Sequence, residues 1–433
     1  MLRLLRLRDF RLLWLAGLVS MIGDWALVTA LPFEVFRRTG STLATAGVVL
    51  SSILPQLLFG SAAGVLADRW DRRRLMVWVS VFQAAALLPL LLVDSVGIWI
   101  VYVVLFVATG LDQLFIPAEV AMLPRLVGDD QLVAANSLSA LNRNLSRLIG
   151  PAIGGVMVAF GGLATVVVID AISFLGTAVL IALISPNASF RAAVDSATQH
   201  ARATESVLRR LSDEWRDGVR LVRASLTLRG LLLFGFITAI GEGVTGALFV
   251  PWVSVALRGD NTDYALLLST QAVGGIIGAF VVARFLHHIS PGKLLAFGAL
   301  IFGGIDLVLF TYPLLAPIVW PALVGMVIVG IPTAAMGVGS TTLQQTATTD
   351  SHRGRVVGLV LTVVAIGIVI GNVAGGLLGE TVGIVQMLII QGSGYVIGGL
   401  IVWYVTRRAA QQELAAVPNA LIVEPSASLA PDR

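Results

Sequence analysis

Between Pro317 and Gly339 the chain reads PIVWPALVGMVIVGIPTAAMGVG, long enough to cross a bilayer and without a charge. Such a run has few ways to fold. About 20 helical residues span the roughly 30 Å hydrocarbon layer, whereas the strands of membrane barrels need only about 10. The pattern recurs near 10–34, 42–67, 75–93, 97–118, 137–160, 162–184, 230–256, 264–286, 293–312, 317–339, 356–378 and 382–405. Charged residues make up 12% of the chain, about half the roughly 25% of a soluble domain. The expectation is an all-α membrane protein of twelve transmembrane helices, with the lipid bilayer as its partner.

The loops can be scored by charge. All but three of the 29 Arg and Lys residues fall on one side of the alternating loops, the exceptions being Arg37, Arg38 and Arg258. Basic loops mark the cytoplasmic side. Both termini are therefore expected in the cytoplasm, in a multi-pass protein of the cell (inner or plasma) membrane. The start MLRLLRLRDFR leads into a span too long for a signal core and lacks a small-residue cleavage site, so this span is expected to stay attached. The arginines are spread over many short segments, which fits topology and argues against a nucleic-acid partner.

Several chemistries are excluded. Cysteine is absent, so there are no disulfides, thiolate metal sites or Cys nucleophiles. Lys293, the single lysine, sits in SPGKLL, which is not a phosphate-binding loop. Neither HExxH nor GxSxG occurs, and an intramembrane aspartyl protease would need two adjacent carboxyls, with a GxGD pattern where this chain has MIGD. The reading is not an enzyme, with no metal and no cofactor.

The polar stretch near 186–229 divides the spans into six and six. Within it Leu208, Leu211, Trp215, Val219, Val222 and Leu226 recur at helical spacing among arginines, the pattern of an amphipathic helix on the membrane surface. The expected organisation is a six-helix bundle over 1–185, a linker over 186–229, a second six-helix bundle over 230–406 and a disordered tail over 407–433. The two bundles share a plan. Arg11, Leu13, Gly17, Ile22, Gly23 and Asp24 match Arg229, Leu231, Gly235, Ile240, Gly241 and Glu242 without a gap, and GPAIGG at 150–155 matches GNVAGG at 371–376. Duplicated six-span bundles suit a transporter that rocks about a central site. An acid at mid-bilayer costs roughly 2.5–3.5 kcal/mol on insertion scales, so a duplicated one needs a reason.

The loop after span two, Gly64-Val-Leu-Ala-Asp68-Arg69-Trp-Asp71-Arg72-Arg73-Arg74, resembles the G-x-L-a-D-r-x-G-R-[RK] loop of the major facilitator superfamily, with Asp71 where the family has Gly. The DRWDRR form, LPRLVGDDQLVAANSL at 123–138 and RGRVVGL at 353–359 are similar to the drug:proton antiporter branch that includes macrolide-efflux proteins and the enterobactin exporter. The resemblance covers residues 8–405 and implies two pseudo-symmetric six-helix bundles. It implies a gating latch in which Asp68 faces span eleven near Arg355 and Val356, while Arg72 or Arg73 pairs with Glu119. The corresponding loop of the second half keeps Arg284 but has Ala283 in place of the Asp. Gly150, Pro151, Gly154 and Gly155 resemble the GP-x-x-GG motif of the superfamily's antiporters, a helix bend suited to close packing between bundles.

Asp24 and Glu242 are candidates for proton coupling or substrate binding, or else hydrogen-bonded acids tying span one to five and seven to eleven. Asp112, with Gln113 beside it, lies where many superfamily antiporters carry an Arg; Arg147, an i,i+4 neighbour of Arg143, either pairs with Asp112 and replaces that relay or snorkels to the cytoplasmic surface. Asp170 and Asp306 read as structural, and Trp99, Trp252 and Trp320 as interfacial anchors. The function expected is efflux of amphiphilic, drug-like or macrolide-like small molecules by proton antiport. The alternatives are export of a siderophore or lipid-like molecule and a nontransporting sensor or scaffold. A monomer is expected.

Overall fold

The structure, a computed structural model, describes residues 2–67, 70–185, 220–286, 288–348 and 350–416. The described residues form helices and no strand. In chain order the spans are α1 Arg8–Thr39, α2 Thr42–Ala67, α3 Arg72–Leu87 extended through Val96, α4 Trp99–Val127, α5 and α6 within Leu132–Ala182, α7 Leu226–Pro251, α8 Asn261–Val281, α9 Pro291–Thr311, α10 Val319–Thr346, α11 Asp350–Val382 and α12 Ile384–Ala416.

The segment Leu132–Ala182 is too long for one crossing, and two glycines divide it. Gly161 (φ −148°, ψ 15°) and Gly162 (φ 66°, ψ −166°) leave helical geometry, the second in a region that essentially only glycine occupies. They separate α5 (132–160) from α6 (163–182), which makes twelve spans. Elsewhere the sequence also marks the ends. Gly40 takes φ 64° and returns its N–H to Phe36 O at 2.7 Å, closing α1; the Asp71 carboxylate accepts the Arg74 N–H at 2.8 Å and opens α3.

The helices repeat one packing scheme. α1 lies against α5 and α6, with Asn142 donating to Trp14 O at 3.0 Å and Thr177 to Ala16 O at 3.1 Å; α7 lies against α11 and α12 in the same way. Glycines allow the approach. A methyl group at Gly154 would fall 2.7 Å from Ala26 Cα, and one at Gly375 3.2 Å from Val244 Cα. α1–α6 build two apolar cores and α7–α12 one large one that also takes in Phe36 of α1 and Ala46 of α2, and the two sets meet along α2 with α11 and α5 with α8.

Two expectations are corrected, and two fall outside the described residues. Trp252 is no interfacial anchor: it is 0% exposed, stacked on Phe249 and edge-on to Phe310, whereas Trp99 and Trp320 are exposed. The chain stays helical past 406 to Ala416, because RRAAQQELAA is made of strong helix formers. Most of the amphipathic linker pattern lies outside the described residues, as do Asp68 and Arg69 of the latch. Val222, at its end, is buried in the core of the second half.

Candidate functional site

Acids gather inside the first half. Helical spacing turns Asp24 of α1 toward α3, α4 and α6, where a cavity of about 150 Å³ is bordered by Asp24, Asp112, Glu119, Gln83, Ser20 and Ser80. Gln83 donates to one Asp112 oxygen at 2.6 Å. Asp24 lies within electrostatic range of both Asp112 and Asp170, and Glu119 within range of Arg143. Asp170 is buried beside Gly23; its Oδ1 accepts the Ser173 hydroxyl at 3.1 Å and its Oδ2 has no hydrogen-bond partner among the described residues. Ser80, 0% exposed, likewise has no partner for its hydroxyl. Among the described residues no three His, Cys, Asp or Glu side chains are arranged to hold a metal ion. This arrangement can accept and pass protons, since carboxylates facing one cavity repel and a shared proton relieves the repulsion.

The second half keeps the frame and changes the groups. Glu242 accepts the Tyr395 hydroxyl at 2.6 Å, and Asp306 accepts from Gln391 at 2.7 Å. Gln391 stands 221 positions after Asp170 and Tyr395 the same interval after Phe174, the spacing that also relates the two glycine motifs. An amide thus replaces the second acid, and a phenol replaces an inert ring. The anchoring read for both acids changes accordingly: Asp24 faces α3, α4 and α6 rather than α5, and Glu242 is tied to α12 rather than α11.

Polar groups also face each other between the halves. Glu242 is surrounded by protein yet keeps accessible surface, as a cavity-lining side chain does, and Arg147 of α5 lies within its electrostatic range. Arg147 is exposed midway along its helix, donates to Gln271 of α8 at 3.3 Å and sits 5.9 Å from the Trp25 ring centroid. The expected Arg147–Asp112 pair is not formed: Gln83 occupies Asp112 and Gln271 engages Arg147. Gln113 bonds its own helix at Thr109 O and its carbonyl points to Gly60 of α2, away from the acids.

The loop arginines differ from expectation too. Arg72 donates to Ala121 O at 3.0 Å, and Arg73 to Ile181 O at 3.3 Å and to Ala182 O. These bonds reach main-chain carbonyls toward the C-terminal ends of α4 and α6, where a cation meets the negative end of a helix dipole. Glu119 borders the acidic cavity. Gly64 lies in the last turns of α2. In the GP-x-x-GG motif, Gly150 and Gly154 face α1, and Gly155 faces Ala265 across the halves, where a methyl group would fall 2.7 Å from its Cβ.

Sequence reasoning missed Gln83, Ser80, Tyr395, the nearness of Arg143 to Glu119 and the membership of Asp170 in the acidic group. The 221-residue offset carried the signal for Asp170 and Tyr395.

The profile of the family described as transmembrane secretion effector, of the major facilitator type, matches residues 2–433. The chain belongs to this family. It is 25% identical over 396 residues to macrolide efflux protein A of Streptococcus pyogenes, covering 89% of this chain and 92% of that one. It is 26% identical over 406 residues to the enterobactin exporter EntS of Citrobacter koseri, covering 90% of each. A bacterial homologue of the iron transporter ferroportin, solved in an inward-facing state, superimposes with a TM-score of 0.70 at 17% identity, covering 92% of this chain and 99% of the other. The fold is that of a major facilitator transporter, and the protein is a membrane transporter rather than an enzyme.

Proposed function

We propose that this transporter exports amphiphilic small molecules across the plasma membrane in exchange for protons, with its basic loops in the cytoplasm. The observation that carries the reading is the separation of two polar sites. Asp24, Asp112 and Glu119 border a small pocket within the first half, too small for a drug-sized molecule, while Arg147, Trp25, Gln271 and Glu242 gather where the two halves face each other, the place of the cleft that alternating access requires. The small pocket suits a proton, and the cleft suits a substrate with apolar and polar parts. α1 links them, since Asp24 and Trp25 are neighbours on one helix that a rocking motion moves as a unit. The relatives named for macrolide efflux and enterobactin export support an outward direction of transport.

The test is accumulation of a fluorescent macrolide-like or cationic amphiphile in inverted vesicles, with and without an imposed pH gradient. Wild type should accumulate it only with the gradient, and Asp24→Asn should lose at least about tenfold of the gradient-driven rate, as expected when an essential proton carrier is removed. Equal rates with and without a gradient would sink proton coupling.

A further inference from the structure

We infer that Glu380, at the end of α11, is a gating residue that holds the face opposite the basic loops shut by capping α2 of the other half. Its Oε1 accepts the Thr42 N–H at 2.9 Å and the Thr42 hydroxyl at 3.3 Å, and the same hydroxyl donates to Gly376 O at 2.8 Å. Thr42 is the first residue of α2, so Glu380 satisfies a main-chain donor that α2 itself leaves open.

The comparison with α8 shows why this contact is special. α8 is capped from within its own half: Asp260 accepts the N–H groups of Thr262 and Asp263, and Asp263 answers the Asp260 N–H, a reciprocal box. Counted from the helix start, Ser41 and Ala44 stand where Asp260 and Asp263 stand; the Ser41 hydroxyl accepts the Ala44 N–H at 3.4 Å, but the first turn of α2 holds no acid of its own. Its acid comes from α11 instead. A carboxylate is also misplaced at the C-terminal end of its own helix, where the dipole is negative, and well placed at the start of another. Glu380 is therefore favourably placed only while α2 and α11 touch.

The surroundings form a closed seam on this face. Methyl groups at Gly376 and Gly155 would fall 2.6 Å from Ala46 Cβ and 2.7 Å from Ala265 Cβ, and Phe33 stacks on Tyr264 at 6.4 Å. Toward the basic end of α11, by contrast, Gly354 and Gly358 have nothing within 4 Å among the described residues. The inference rests on the alternating-access reading but not on the proton or the substrate, so its test uses neither.

The chain has no cysteine, so Ala265→Cys gives a single reporter, 1% exposed, on the far side of the seam from Glu380. The purified protein in nanodiscs is labelled with a water-soluble maleimide, and the rate is compared between A265C and A265C with Glu380→Ala or Glu380→Gln. Glu380→Ala should raise the rate roughly two- to fivefold, the range expected for loss of a charged helix cap at an exposed site, and Glu380→Gln should fall between. Ser225→Ala, which removes the cap of α7 within its own half, should leave the rate unchanged. An unchanged rate in Glu380→Ala, or an equal rise in Ser225→Ala, overturns the gating role. Thermal unfolding of the same samples separates gate opening from general loosening: a rise in labelling with a matching loss of stability also overturns it.

Discussion

At the scale of single residues, the two intramembrane acids of the second half are held differently. Asp306 is 2% exposed and depends on Gln391, whereas Glu242 keeps accessible surface besides its bond to Tyr395. Removing Gln391 as a partner by Gln391→Leu strands a buried carboxylate and should cost about 2 kcal/mol. Tyr395→Phe removes one donor from an acid that water can still reach and should cost roughly 1 kcal/mol or less, in line with hydrogen bonds between membrane helices. Unfolding in detergent decides between them, and a larger loss for Tyr395→Phe would contradict the assignment. The duplicated acids were legible as a pair because they interrupt apolar runs at matching positions. The partners were not, because Gln83, Asp112 and Asp170 come from three helices whose rotation no linear pattern fixes.

Among the helices, packing is set by small residues that leave no room for a side chain. Gly154 meets main-chain atoms of Ala26, which cannot swing aside, while Gly176 faces open space. Gly154→Val should therefore force α1 from α5 and cost about 1–3 kcal/mol as overpacking, whereas Gly176→Ala should be neutral or slightly stabilising through helix propensity. The folded fraction after heating, read by size exclusion, distinguishes them; equal tolerance would mean that the α1–α5 approach is looser than the structure shows. The existence of the spans was readable because length and hydropathy determine it, and the break at Gly161–Gly162 falls at the boundary of the expected spans 137–160 and 162–184, although α4 runs on to Val127 and α12 to Ala416. The bonding of Arg72 and Arg73 was not readable. Charge says only that an arginine stays near the basic face, and carbonyls at helix ends compete with any acid for it. Trp252 misled for a related reason, since a tryptophan near a span end can turn inward and meet Phe249 and Phe310 as readily as it meets headgroups.

For the molecule as a whole, the seam joining α2 and α11 must part if the cleft is to reach the opposite face, and this can be tested by welding it. A Cβ at Gly379 would lie 3.4 Å from Thr42 Cβ, close to the roughly 3.5–4.5 Å of a disulfide, with only the movable tip of Leu248 nearer. Thr42→Cys with Gly379→Cys should therefore close spontaneously under mild oxidation, in a chain with no other cysteine to compete. The bond leaves the acidic pocket of the first half and the Arg147 region of the cleft unchanged, because both lie away from the seam. Transport in the oxidised double variant should fall at least about tenfold and recover with reductant, while each single variant should transport in either condition. Since locking one conformation stops a cycle that needs two, full transport in the oxidised protein would mean that the halves do not rock apart along α2 and α11. The cleft would then have to open along α5 and α8, where Gly155 meets Ala265, and the same weld placed there would have to stop the cycle instead.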